Sequence, residues 1–391
     1  MRIRVILRLV LLSIVLGGSP GVAFGHGAVA DRIQLMLEEV VAKNPAGLGA
    51  GLLAIAALGQ DPADRSAVST FVAGRRAAPG TSPVQADTPY GVASITKTMV
   101  ATLTLIYAER GLLELSAPAL DLADDDRRIL DQVENRKFRK NLEAATVRDL
   151  LAHRSGLPDY WDNHAFLRAW RSQEKKYWKH REILKWAGKA APVCKVGECF
   201  KYADTNFLIL GLLLEEAFDK KLHDLLREEI FAPLGMRCTW MYFEEPAPAG
   251  CGQVAHSYEG GLDVTANRMQ SADWSSGGIY STMEDQLRFL NGLFADDELL
   301  SRAGLAELQD WRSSDLAPDT TYGLGIYKVS RRPGMTLIGH TGIHNAFTFL
   351  WEEAGILLTG SLNQEDNQVT DGLLYPVMGL LAQEGVDRLM H

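Results

Sequence analysis
Residues 89–109 read PYGVASITKTMVATLTLIYAE, and this stretch decides how the rest of the chain is understood. Pro89 holds its predecessor extended, and Gly91 and Val92 keep the chain loose as far as Ala93. From Ser94 onward, Ile95, Met99, Val100, Leu103, Leu105 and Ile106 follow helical spacing and predict a mostly buried helix. Serine is favoured at a helix start, which puts Ser94 at the N-terminus with Lys97 one turn on and on the same face. A serine hydroxyl is a poor nucleophile until a neighbour takes its proton, and the positive end of a helix favours a developing oxyanion. The stretch is a candidate Ser-x-x-Lys nucleophile. The alternative is an N-cap serine beside a structural lysine. The spacing alone recurs about once by chance in a chain of this length, and Ser172 with Lys175, in RSQEKKYWKH, repeats it. That second run is charged on all sides and reads as a solvated helix face.

The chain of 391 residues opens with Arg2, Arg4 and Arg8, then an apolar run to Leu16 and the breaker Gly17–Gly18–Ser19–Pro20. This predicts a secretory signal over residues 1–25, cleaved before His26, or before Asp31 if it extends to residue 30. The run falls short of the ~20 apolar residues a membrane span needs, so a periplasmic or secreted protein without a stable membrane anchor is expected. Losing that segment removes three arginines and no acids and takes the net charge from −9 to −12. Such a charge argues against nucleic acid or an anionic membrane surface as partner. The four cysteines of an exported chain are expected to pair locally, Cys194–Cys199 and Cys238–Cys251. Zinc is the other reading, but the spacings lack the usual short pairs and no histidine pattern accompanies them.

Taken in order, Asp31 to Ala42 predicts an amphipathic helix, and residues 47–60 and 67–73 predict strands. Gly47, Gly49 and Gly51 read as a flexible strand entry rather than a phosphate loop, since no strand precedes them. A mainly helical stretch follows over about 110–315. In it, Thr146 is expected to cap a helix that Gly156–Leu157–Pro158 stops, with His153 as a structural residue at that turn. Tyr160 and Trp161 follow, either in the core or along a cleft. Tyr202 stands just before a helix that Asp204 or Thr205 can cap. Ser281 and Glu284 are expected to form the capping box of another. From Tyr322 the runs YGLGIYKV, MTLIGH, AFTFLW and GILLTGSLN predict antiparallel strands, and Asp371 to Gln383 a closing helix. The expected fold is α/β (α+β). An antiparallel sheet flanked by helices and completed by both chain ends (about 31–109 and 316–385) carries a large, mainly helical insert lobe (about 110–315), with Ser94 at the junction.

A third element stands between two late strands, Gly339–His340–Thr341–Gly342. The glycines let a strand edge approach a ligand closely, and the Ile343 amide offers an oxyanion donor. Three weak elements thus occur in one order: Ser94-x-x-Lys97, Tyr202-x-Asp204 and His340–Thr341–Gly342. With LLAHRSGLPDY, PLGM at 233–236, GGIYST at 277–282 and YGLGI at 322–326, the sequence resembles the penicillin-recognising serine hydrolases over residues 31–385. These are the class C β-lactamases, D-alanyl-D-alanine carboxypeptidases and related esterases. The resemblance implies a single catalytic domain with Ser94 as acylated nucleophile, Lys97 helping to take its proton and Tyr202 as second general base. It implies Asp204, His340, Thr341 and Gly342 around the substrate, an oxyanion hole from the Ser94 and Ile343 amides, and no metal or other cofactor.

Two departures shift the expectation away from β-lactamase. The second element usually ends in asparagine, whereas the carboxylate of Asp204 cannot donate. His340 stands where class C enzymes carry lysine and is expected to be only partly charged near neutral pH. The expected activity is that of an acyl-enzyme hydrolase, first a D-alanyl-D-alanine carboxypeptidase on cell-wall peptides. The alternatives are a small-acyl esterase or amidase, a class C-type β-lactamase, or a non-catalytic binding or regulatory protein of the same fold.

Overall fold
The computed structural model describes residues 27–43, 49–64, 66–77, 81–123, 127–259, 261–265, 267–295, 298–364, 369–386 and 389. The expected signal segment falls, through residue 26, outside the described residues, as does Gly47. The strand Ala50–Ala57 divides its side chains between two cores. Leu52, Ala54 and Ala56 join a cluster with Met99, Leu287 and Leu290, while Leu53 and Ile55 join one with Ile33, Leu37, Val377 and Leu381. A strand covered on both faces reads as a continuous apolar run, as AGLLAIAA does.

This strand pairs antiparallel with Val68–Gly74 on one side and with Ile356–Ser361 on the other, Leu52 opposite Ser361 and Ala57 opposite Ile356. Both chain ends therefore complete one sheet. Its order runs Val68–Gly74, Ala50–Ala57, Ile356–Ser361, Ala346–Trp351, Leu337–Gly342, Tyr327–Val329, Thr320–Tyr322 and Arg312–Ser313. Helices Ala28–Ala42 and Tyr375–Glu384 cover one face, and Ile95–Glu109 and Met283–Phe294 lie against the other. No described helix is long and apolar enough to cross a membrane.

The segment between Glu109 and the late strands is mainly helical. A small sheet of Tyr90–Gly91, Ile279–Ser281 and Trp240–Met241 ties it to the approach to Ser94. Thr146 and Asp149 form the expected reciprocal capping box. The second expected box does not form: Thr282, not Ser281, caps Met283–Phe294 by accepting from the Asp285 amide at 3.2 Å, and the Asp285 carboxylate turns to the Cys238 amide and the Thr239 hydroxyl. Ser281 is taken by the small sheet, where its hydroxyl bonds Thr239 at 2.7 Å. Both local disulfides, Cys194–Cys199 and Cys238–Cys251, are formed.

Candidate active site
Ala93 adopts a φ of 49°, a left-handed bend that turns the chain from Tyr90–Gly91 into the helix Ile95–Glu109. Ser94 occupies the N-cap position, but its φ of −59° and ψ of −11° are not those of an extended cap, and its hydroxyl caps no amide. The hydroxyl is left for other partners. Lys97, fully buried one turn below, places Nζ 3.0 Å from Ser94 Oγ, 2.7 Å from the Ser276 carbonyl oxygen and 2.7 Å from Asp204 Oδ1. As an ammonium, it spends all three hydrogens on these acceptors. As a neutral amine, it keeps two donations, to Ser276 and Asp204, and turns its lone pair to the Ser94 proton. The arrangement accommodates both sides of a proton transfer without moving a heavy atom.

Tyr202 enters from the extended residue Ala203 ahead of the helix Asp204–Phe218. Its hydroxyl lies beside that of Ser94, and Lys97 Nζ stands 5.0 Å from its ring centre. Burial, then the Asp204 charge, push the phenol well above its ordinary value, so it rests neutral at physiological pH. Neither Asp204 nor Thr205 caps this helix, contrary to the sequence expectation. The Asp204 carboxylate is drawn to Lys97 and accepts from Trp161 Nε1 at 2.9 Å. Thr205 Oγ1 accepts from the Tyr160 amide at 3.0 Å. Capping passes to Asp159, whose Oδ2 accepts from the Asp204 amide at 3.1 Å. Burial, then the Asp204 charge, raise the Asp159 carboxyl to about 8. A Cβ on Gly211 would lie 2.7 Å from Ser275 Cβ, so glycine lets this helix sit against Trp274–Gly277, the segment that supplies the Ser276 carbonyl.

The strand Leu337–Gly342 ends against the same turn. A Cβ on Gly342 would overlap the Val92 carbonyl oxygen and come within 2.8 Å of Ala93 Cβ, so only glycine permits the approach. Among the described residues, neither the Ser94 nor the Ile343 amide donates to a backbone carbonyl, and Ile343 is half exposed. Thr341 Oγ1 bonds the Tyr327 hydroxyl at 2.6 Å.

The expectation of a partly charged His340 does not hold. The imidazole is buried. Its Nδ1 donates to the Thr341 carbonyl at 2.6 Å, which leaves Nε2 to accept from the Tyr322 hydroxyl at 3.3 Å. Burial, then the Lys97 charge, hold it down at about 3. His340 is neutral and both its nitrogens are engaged. Of the arginines near that strand in sequence, Arg331 pairs with Asp371 at 3.0 Å and Arg332 stacks over Tyr375.

Sequence reasoning missed the Ser276 carbonyl, because a main-chain acceptor carries no sequence mark. It also missed Asp159, Tyr322 and Tyr327, which act through partners distant in the chain. Asp273 is another. It begins the Trp274–Gly277 helix without capping it, and among the described residues no hydrogen bond or ion pair reaches its carboxylate. Burial, then Asp204 and Glu259, raise this group to about 8. No cluster of three or more His, Cys, Asp or Glu suited to a metal occurs among the described residues.

Several known proteins share this layout. A D-amino acid amidase from Ochrobactrum anthropi SV3, solved with L-phenylalanine amide, superposes with a TM-score of 0.75 at 25% identity, covering 93% of this chain and 100% of that one. The D-alanyl-D-alanine-carboxypeptidase/endopeptidase AmpH of Escherichia coli (strain K12) is 28% identical over 216 residues, 54% of this chain and 51% of AmpH. A D-aminopeptidase of Brucella anthropi is 27% identical over 266 residues, 67% of this chain and 46% of that protein. The chain spans about half the length of these two sequence relatives. The profile of the beta-lactamase family matches residues 50–383, from the first sheet strand to the closing helix and through every element that meets at Ser94. On that match the chain belongs to the beta-lactamase family.

Proposed function
We propose that the protein is a serine hydrolase working through an acyl-enzyme on Ser94, and that its acyl donors are small amides or esters bearing a protonated amine. Lys97 takes the Ser94 proton as the hydroxyl attacks the acyl carbon, and the Ser94 and Ile343 amides receive the oxyanion. Tyr202, beside Ser94, hands a proton to the leaving group and then draws one from the water that releases the acyl group, while Lys97 returns its proton to the departing Ser94 oxygen. The observation that carries the substrate class is a carboxyl with no partner among the described residues, held largely protonated by its surroundings and ready to ionise against a cation. The histidine beside the strand edge is neutral, whereas Asp273 presents an unpaired carboxyl beside the Ser276 turn, with Glu259 close enough to raise it. A substrate amine compensates such a carboxyl, and a substrate carboxylate does not. The D-amino acid amidase and D-aminopeptidase relatives fit this reading by their names.

The carboxypeptidase reading remains the second one, favoured by AmpH. It needs a cation for the terminal carboxylate, a part His340 does not fill. Steady-state kinetics with alaninamide, N-acetylalaninamide and an acetylated D-alanyl-D-alanine peptide, in both enantiomers where relevant, separates them. The amine reading expects alaninamide to lead in kcat/KM by at least tenfold over its acetylated form. A preference for the acetylated dipeptide sinks it. Export belongs to the same proposal, supported by two disulfides in the structure, and N-terminal sequencing of the mature protein tests it.

A further inference from the structure
Three hydrogen bonds tie His153 to the residues around Tyr202. Its carbonyl accepts from the Lys201 amide at 2.9 Å, and its Nδ1 accepts from the Ala203 amide at 3.2 Å and from Asn206 Nδ2 at 3.0 Å. One residue thus holds the main chain immediately before and immediately after the tyrosine. The rings of His153 and Tyr202 pack at 4.3 Å between centres, with Phe207 and Tyr322 closing the other sides.

His153 keeps this place at a cost. Nδ1 accepts from a backbone N–H, so the proton sits on Nε2, which is sealed from solvent and finds no partner among the described residues. The backbone is left-handed, φ 55°, a conformation unfavourable for residues other than glycine. Burial and the nearby Lys97 charge keep the ring neutral. The same turn also anchors the disulfide loop ahead of Tyr202. The Val193 amide donates to the Gly156 carbonyl and the Gly197 amide to the Arg154 carbonyl, both at 2.8 Å, while Asn141 Nδ2 bridges the Ser155 and Cys194 carbonyls at 2.8 Å each. A strained, incompletely satisfied residue persists where the surroundings over-determine it, and such sites cluster around function.

We propose that His153 is a positioning residue that sets the Tyr202 hydroxyl against Ser94, acting through the acceptor at Nδ1 and not through charge. The proposal rests on Tyr202 serving as the second base. Asparagine is the conservative replacement, because its Oδ1 takes the place of Nδ1 and it tolerates the left-handed backbone. Glycine keeps that backbone without strain but offers no acceptor.

The test is kcat and KM on a chromogenic acyl ester for the full-length protein, for His153→Asn and for His153→Gly, each alone and combined with Tyr202→Phe. The expected result is a loss of ~30-fold or more in kcat for His153→Gly with KM within about twofold, and recovery of most of it in His153→Asn. Once Tyr202 is phenylalanine, His153→Gly costs nothing further, because both substitutions disable the same group. Losses that simply multiply, failure of His153→Asn to recover, or an unchanged kcat each overturn the proposal. An unaffected Tyr202→Phe variant overturns the role of Tyr202 itself, and with it the proposal, and is read from that single variant alone. If His153→Gly does not fold, His153→Gln supplies the contrast, since its acceptor reaches the Nε2 position instead.

Discussion
The chain carries Ser-x-x-Lys at 94–97 and again at 172–175, and the two could hardly differ more in surroundings. Ser94 stands at the amino end of a 15-residue helix, with its lysine wholly buried and bound to three acceptors. Ser172 stands at the carboxyl end of the helix His164–Arg171, where its hydroxyl donates back to the Ala169 carbonyl at 3.0 Å and Lys175 is exposed. The first presents a hydroxyl to the positive end of a helix, the second to the negative end. Equal spacing therefore carries no chemistry by itself. What counts is which end of the helix holds the serine and whether the lysine is desolvated among acceptors.

The sharpest way to break this comparison is at the serines. Ser94→Ala is expected to lower kcat/KM for an acyl ester by more than ~10³-fold with the fold intact, while Ser172→Ala leaves it unchanged. Intact mass after exposure to an activated ester should show one acyl group in the wild type and none in Ser94→Ala. Equal losses in the two variants would erase the distinction.

The lysines separate by stability. Asp204→Ala strands the buried Lys97 charge and is expected to destabilise the protein by about 3–5 kcal/mol in urea unfolding. The run around Lys175, expected as a helix face, is a turn between His164–Arg171 and His180–Ala187; Lys175→Ala in that solvated turn should change stability by less than about 0.5 kcal/mol. If both fall below 1 kcal/mol, the three-acceptor cradle is not what holds Lys97.

The strand end sharpens the contrast further, since only the Ser94 turn has one against it. Gly342→Ala forces Val92 and Ala93 aside and is expected to cost about 2 kcal/mol, with a larger proportional fall in kcat than in KM. Wild-type kinetics in that variant would mean that the strand has no part in the site.

The smallest effect concerns His340. Its pKa is about 3 in the fold, against about 6.5 unfolded. The unfolded chain then binds more protons between those values, so its contribution to stability is full above pH 6.5 and is lost as pH falls towards 3. At pH 5.5 the loss from this group is about 1.4 kcal/mol. His340→Asn should therefore lose less stability than the wild type between pH 7 and 5.5, and an equal loss would put the charge back on the imidazole. The same neutrality predicts no change of kcat/KM from this histidine between pH 6 and 8.

Much of the fold was legible in residues. Residues 47–60 announced a strand, though its burial on both faces emerged only in the structure, and the late runs from Tyr322 announced a sheet that both ends complete, because apolar periodicity survives in sequence wherever one side of an element meets a core. Ser94 and Lys97 were legible as well, since one turn of helix fixes their distance whatever the rest of the chain does. Both disulfides followed from local spacing. The capping residues were less so: Thr282 and Asp159 took over positions expected of Ser281 and of Asp204 or Thr205, each time because the expected side chain had a stronger partner elsewhere.

Helix spacing alone set the nucleophile beside its amine, and apolar patterning set the layers around them. Only the tertiary structure brought the Ser276 carbonyl and Asp204 to Lys97, sealed His340 into neutrality and left Asp273 without a partner among the described residues. Those outcomes depend on burial and on contacts between residues far apart in the chain. Desolvation, which decides the charge of each group, is a property of the packed molecule and not of any stretch within it.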